Sequence, residues 1–266
     1  MLLTQIRNAT MLVEYAGRKF LLDPVLAEQG AYPGFAGTPG SEQRNPLVGL
    51  PLPLERILDV DAVIVTHLHS DHWDEAARRL IPKGLAIFTQ NRADAAAVRA
   101  DGFSDVRLLE SETLFQGVRL SRTGGQHGQS DIYGDTARDL AGNRALAEDL
   151  GEVSGVVFRH PGEKTLYLAG DTVWNAQVAT AIGTYAPEVI VVNAGWAHFE
   201  GYAGIIMGCD DILQVHRAAP AATLVATHME ALNHCLLSRR ELRDFAEEQG
   251  FSADLLIPAD GESCRL

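Results

Sequence analysis

Residues 62–73 read Ala62-Val63-Ile64-Val65-Thr66-His67-Leu68-His69-Ser70-Asp71-His72-Trp73, an apolar, β-branched run that ends in three histidines and an aspartate. The run has the pattern of a strand buried on both faces. With this chain's His and Asp frequencies, chance gives an H-x-H-x-D-H pattern on the order of once in a thousand such chains. His67 and His69, two apart, leave the strand end on one side, and Asp71 and His72 on the following turn face a second position. Imidazoles and a carboxylate this close suit Zn²⁺, or Mn²⁺ or Fe²⁺ where oxygen donors join. Asp71 is also placed to N-cap a helix over 74–80.

Outward from this stretch the chain alternates strand and helix patterns. Met11–Tyr15 and Lys19–Asp23 flank Ala16-Gly17-Arg18 as a hairpin. Strands are expected at 85–89, 118–122, 156–158, 165–168, 189–192, 223–226 and 255–257. Helices are expected at 92–100, 174–183, 211–218 and 238–249. Residues 24–53 carry six prolines and five glycines and read as a long irregular segment, either a pocket wall that presents Tyr32 and Phe35 to a ligand or a surface excursion. Residues 129–150 read as a loop with a short helix, and 195–210 as a glycine-rich loop whose Trp196, His198 and Tyr202 are candidate pocket residues. The halves echo each other in element order. A hairpin ending at Leu22-Asp23 precedes a strand ending at Thr66-His67, as one ending at Gly170-Asp171 precedes a strand ending at Asn193-Ala194. The strand ending at Thr89 likewise matches the one ending at Thr227-His228. Nothing marks a linker, so residues 1–266 are expected to form one domain.

Composition narrows the function. The 266 residues are 46% hydrophobic, and 35 acidic against 22 basic side chains give a formal charge of −13. With only Lys19, Lys83 and Lys164 as lysines and no basic run beyond two arginines, a nucleic-acid groove is disfavoured. The three cysteines are scattered, against a disulfide scaffold. The start has no signal-peptide pattern and no apolar stretch approaches a membrane span, so a cytoplasmic chain is expected. A small-molecule substrate is the expected partner, and a homo-oligomer is compatible with the sequence.

Further donors are expected at other strand ends. His127 follows a strand in Gly124-Gly125-Gln126-His127-Gly128, Asp171 lies in Leu168-Ala169-Gly170-Asp171-Thr172, and His228 in Ala226-Thr227-His228-Met229-Glu230. Asp23 is a candidate acceptor for a ligand imidazole's second nitrogen. His234, in Leu232-Asn233-His234-Cys235, is a candidate general acid, substrate contact or alternative ligand.

With H-x-H-x-D-H followed in order by His127, Asp171 and His228, the chain resembles the metallo-β-lactamase-fold metallohydrolases over nearly its whole length. Leu21-Leu22-Asp23-Pro24 and Leu166–Thr172 look like the L-ascorbate-6-phosphate lactonase-like branch, though not enough to carry over its substrate. The resemblance implies an α/β fold, an αββα four-layer sandwich with a dinuclear site at one edge of the sheets. His67, His69 and His127 would hold the first divalent metal, Asp71, His72 and His228 the second, and Asp171 would bridge them. The implied mechanism is hydrolysis by a hydroxide shared between two metals, most simply Zn²⁺, on a small ester, lactone or phosphodiester. Asp71 or a protonated His234 would serve the leaving group. Two other readings stay open: an iron-dependent oxidoreductase on the same fold, and a non-catalytic binding module. No G-x-S-x-G elbow offers a metal-free hydrolase.

Overall fold

A computed structural model describes residues 1–128 and 146–266. The expected loop at 129–150 lies mostly outside the described residues, and its last five residues, 146–150, are helical. In chain order the strands are β1 (Leu2–Arg7), β2 (Thr10–Tyr15), β3 (Arg18–Leu22), β4 (Ala62–Val65), β5 (Ala86–Thr89), β6 (Val106–Leu108), β7 (Thr113–Phe115), β8 (Val118–Gly124), β9 (Ser154–Arg159), β10 (Leu166–Leu168), β11 (Val189–Asn193), β12 (Thr223–Thr227), β13 (Leu255–Leu256) and β14 (Ser263–Arg265). The helices are α1 (Leu54–Ile57), α2 (Glu75–Leu80), α3 (Arg92–Ala100), α4 (Ala176–Tyr185), α5 (Cys209–Ala218) and α6 (Arg239–Glu248).

The strands form two seven-stranded sheets, ordered β14-β1-β2-β3-β4-β5-β6 and β13-β12-β11-β10-β9-β8-β7. Strand alternation explains the layers. Ala62 and Ile64 of β4 point into the core between the sheets, with Val189 and Val191 of β11. Val63 and Val65 face outward onto Ala76 and Ala77 of α2 and Val98 of α3. Ile190 and Val192 face outward onto Val178 of α4 and Ile212 of α5. A strand hydrophobic at every position is therefore satisfied by a sheet on one side and helices on the other, which makes the αββα sandwich.

The echo between the halves is visible in the pairing. In the first sheet β2–β3 is antiparallel and β3–β4–β5–β6 run parallel. In the second, β9–β10 is antiparallel and β10–β11–β12–β13 run parallel. The matched strand ends thus lie at equivalent places in the two sheets.

The structure departs from the sequence reading in α1, β1, β6, β7 and β14, which that reading does not place, and in the cap of α2. The cap of α2 is Asp74, whose Oδ1 accepts from the Ala77 amide at 2.6 Å, and not Asp71, which stays free for other work. β1 escapes the sequence reading because its buried residues include polar Gln5 and Arg7. The fully buried Arg7 guanidinium donates to the carbonyls of Val48 (2.7 Å), Val25 (3.0 Å) and Ala27. It therefore fastens the base of the 24–53 segment, and burial pushes it down to about 10.

Buried tyrosines give the sandwich an alkaline limit. Burial raises Tyr167, on β10, to about 12, and raises Tyr15 as well. An unfolded tyrosine ionises near 10, so its folded-state advantage is intact below pH 10 and is lost as pH climbs towards 12, by about 1.4 kcal/mol per group at pH 11. Urea unfolding between pH 8 and 11 should show this decline, and Tyr167→Phe should flatten it by about one group's share.

Candidate metal centre

The site is assembled from strand ends. β4 runs directly into Thr66-His67-Leu68-His69, β8 leads to His127, β10 to Asp171, and β12 to His228. Asp171 follows Gly170, whose φ of +71° and close approach to the Ser154 carbonyl leave no room for a Cβ. His228 itself holds φ +59°, an uncommon left-handed conformation for a side chain of its size. Asn8, just past β1, ties the two halves. Its side chain donates to the Asp71 carbonyl at 2.6 Å, and its carbonyl accepts from the His228 amide at 2.9 Å.

Two ligand groups result. His67, His69 and His127 each bring a donor atom within 4.8 Å of one another, and Asp71, His72, Asp171 and His228 do the same. Asp171 lies between them: its Oδ2 is 3.1 Å from His72 Nε2 and 3.6 Å from His127 Nε2, and its Oδ1 is 3.7 Å from His228 Nε2. Asp71 Oδ2 is 3.5 Å from His228 Nε2. Asn193, at the end of β11, donates to Asp171 Oδ1 at 2.5 Å.

The five imidazoles test whether these residues suit a metal. In each ring one nitrogen faces the cluster and the other rests on an acceptor. His67 Nδ1 lies 3.1 Å from Thr66 Oγ1, which itself donates to Asp23 Oδ2 at 2.8 Å. His127 Nδ1 meets the Ile205 carbonyl at 2.8 Å, and His228 Nδ1 meets Cys235 Sγ at 3.4 Å. His72 Nδ1 sits 2.9 Å from Asp23 Oδ2 as an ion-pair contact, without the alignment of a hydrogen bond. His69 is turned the other way: Nδ1 faces His67 Nε2 at 2.9 Å and Nε2 meets the Asp149 carbonyl at 3.0 Å. This is the outer arrangement that fixes tautomers for ligation, and five imidazoles with two carboxylates fit Zn²⁺, Mn²⁺ or Fe²⁺.

Electrostatics separates the two groups. Burial, reinforced by neighbouring imidazoles, pushes His67 well down, and burial brings His127 to about 4. For His72 burial works against the proton, yet Asp171, Asp23 and Asp71 outweigh it and lift the ring to about 10. His228 is raised against burial by Asp171 in the same way. Asp71 and Asp171 stay well below the usual carboxylate range because His72 and His228 overcome their burial. The second group therefore demands positive charge, and a cation there competes with protons.

A cavity of about 220 Å³ opens on His69, Asp71, His127 and Asp171, with Phe35, Leu150, Phe199 and Ile205 as apolar walls. His234 lines it, its Nε2 4.0 Å from Asp71 Oδ2 and its ring edge-on to Phe35 at 4.6 Å. Phe35 is thus in the wall, while Tyr32 packs towards the first sheet's helices. The 195–210 loop contributes Phe199 and Ile205 to the lining in place of Trp196, His198 and Tyr202: Trp196 points out at 45% exposure, and Tyr202 packs against the apolar cluster that includes Leu150, Ile205 and Leu232. Sequence reasoning missed Asn8 and Asn233, whose contacts join residues far apart in the chain, and Cys235, whose contact with His228 seven residues before it follows no helix or strand spacing.

Two mixed sheets flanked by helices, with histidines and aspartates gathered at their strand ends, define a metal-dependent hydrolase of the metallo-β-lactamase fold. The β-lactamase superfamily domain model matches residues 18–229, and the chain belongs to that family. It is 48% identical over 262 residues to the UPF0173 protein YddR of Bacillus subtilis, covering 98% of each chain. The crystal structure of an isothiocyanate hydrolase from Delia radicum gut bacteria is 48% identical, with a TM-score of 0.93 over 100% of this chain and 99% of that one. That of a possible metal-dependent hydrolase from Veillonella parvula is 40% identical, with a TM-score of 0.94 and the same coverage. No helix among the described residues is long and apolar enough to cross a membrane.

The two ligand groups should differ in pH response. His67 and His127 carry no proton to displace at neutral pH, whereas His72 and His228 must each lose one, so second-site affinity falls up to about 100-fold per pH unit of acidification. Titration with Zn²⁺ should give two equivalents at pH 8 and one tight equivalent at pH 5.5, and His72→Ala should bind one at both.

Proposed function

We propose that this chain hydrolyses small, uncharged electrophiles at a dinuclear centre held by His67, His69 and His127, by Asp71, His72 and His228, and by Asp171 between them, and that isothiocyanates are its substrate class. The observation that carries the reading is the cavity wall. Among the described residues that line it there is no lysine or arginine to hold a phosphate, and Phe35, Leu150, Phe199 and Ile205 offer an apolar surface directly over the donors. Of esters, lactones and phosphodiesters, such a wall disfavours the phosphodiester. The 48% identity with an isothiocyanate hydrolase over the full chain supports the more particular choice.

Divalent cations bound here supply a water acid enough to yield hydroxide near neutral pH and a Lewis acid for the electrophile. The chain's own residues do the rest. The aromatic and aliphatic walls exclude bulk water and hold the substrate's organic group. Asp71 and Asp171, kept ionised, fix the position of attack. Burial pushes His234 down to about 4, so at neutral pH it is an uncharged hydrogen-bond partner for the substrate heteroatom, the substrate contact among the three roles its sequence position offers. For an isothiocyanate the oxygen of water bonds to the central carbon, the carbon–nitrogen bond breaks with protons passing to nitrogen, and R–NCS plus H₂O gives R–NH₂ and COS.

The test is direct. The Zn²⁺-loaded protein should consume benzyl isothiocyanate with stoichiometric release of benzylamine, and His69→Ala should lower the rate at least about 100-fold. Turnover of bis(p-nitrophenyl) phosphate with benzyl isothiocyanate left intact would overturn the substrate assignment.

A further inference from the structure

Asn233 is buried one residue before His234, and every hydrogen-bonding group of its side chain is engaged by the 24–53 segment. Its Oδ1 accepts from the Phe35 amide at 3.1 Å and from Asn45 Nδ2 at 2.7 Å. Its Nδ2 donates to Thr38 Oγ1 and to the Pro39 carbonyl, both at 2.9 Å. Its own backbone amide donates to Asn45 Oδ1 at 2.9 Å. Thr38 Oγ1 in turn donates to the Phe35 carbonyl at 2.7 Å, so the peptide groups on both sides of the Phe35 Cα are held in one ring of bonds that starts and ends on Asn233.

We infer that Asn233 is the positioning residue that sets substrate fit, by pinning Phe35 and Thr38 against the metal-facing cavity. Three features argue this over general stabilisation. The segment is already fastened at its base, through Arg7 and the carbonyls of Val25, Ala27 and Val48, so the bonds of Asn233, to Phe35, Thr38, Pro39 and Asn45, act beyond that base. The tip is where Phe35, Ala36 and Thr38 line the cavity, and Phe35 meets the His234 ring at 4.6 Å. An amide with two acceptor and two donor contacts in use is also demanding: aspartate lacks the donors, and serine lacks the reach. Because Asn233 adjoins His234 and follows His228 by five residues, one short segment carries a metal-facing histidine, the cavity histidine and the clamp on the opposite wall.

The inference rests on the proposed site for its kinetic readout, so the experiment includes one that needs no substrate. In hydrogen exchange on the intact protein, Asn233→Ala should speed exchange of the Phe35 amide at least about tenfold and leave residues 25–27 unchanged. In kinetics with methyl and benzyl isothiocyanate, Asn233→Ala should raise KM about tenfold with kcat within about threefold and metal content unchanged. Phe35→Ala should raise KM similarly, and the double variant should be no worse than Phe35→Ala alone, since the two act as a unit. Asn45→Ala, which removes one arm of the clamp, should show a smaller shift of the same kind and serves if Asn233→Ala does not fold. Unchanged Phe35 exchange, or additive KM effects in the double variant, overturns the clamp. Faster Phe35 exchange in a protein that consumes no isothiocyanate upholds the clamp and overturns the substrate assignment instead.

Discussion

Burial of Asp71 and Asp171 beside each other is the constraint on which the rest of this structure depends. Both are almost fully enclosed and both stay ionised. Isolated carboxylates in such a place would take up protons, because desolvation of the charge outweighs anything a distant group returns. They remain charged because His72 and His228 approach them, and Asp23 in turn approaches His72 from behind. Positive charge at this point, whether protons on the rings or a cation between them, is therefore a condition of the fold as well as of the chemistry.

That condition explains the architecture around it. The C-terminal ends of parallel strands are where polar residues gather without interrupting a hydrophobic strand, and two sheets of matching topology bring two sets of ends to one edge. Donors that follow β4 in the first sheet and β8, β10 and β12 in the second meet at this edge, and a run such as Val189–Asn193 stays wholly apolar until its last residue, Asn193, which holds Asp171. Where the backbone must turn sharply to deliver a donor, it pays with left-handed conformations at Asn8, Asp23 and His228.

The same physics decides what was legible in the sequence. β4, β5, β11 and β12 were readable because strands buried on both faces leave no polar residue until they end, and the donors stand out at those ends. β1 was not, because its buried polar residues are satisfied in good part by distant partners, Arg7 by the carbonyls of Val25, Ala27 and Val48 and Gln5 by the Thr227 hydroxyl. The cavity walls were legible by segment but not by residue. Phe35 was visible as an aromatic in a proline-rich stretch, whereas the choice of Phe199 and Ile205 over Trp196 and Tyr202 depends on the path of the loop after β11. Asn233 on Phe35 carries no local pattern, since it is defined by a partner elsewhere in the chain, and Cys235 reaches His228 only through the turn of the loop between them.

Net charge takes on a different meaning in this light. A surplus of acids spread over the surface disfavours a polyanion, but it says little about a chamber whose own carboxylates are balanced by imidazoles and cations. What the chamber offers a substrate is set by its uncharged parts: the aromatic and aliphatic walls, the neutral ring of His234 and the hydroxyl of Thr38. With the charged groups committed to one another and to the cations proposed between them, the proposed function leaves discrimination between substrates to shape and apolar contact. Those contacts come from loops, and a loop discriminates only as well as its backbone is held. On the proposed function, the recognition of an uncharged substrate thus depends on hydrogen bonds that never touch it.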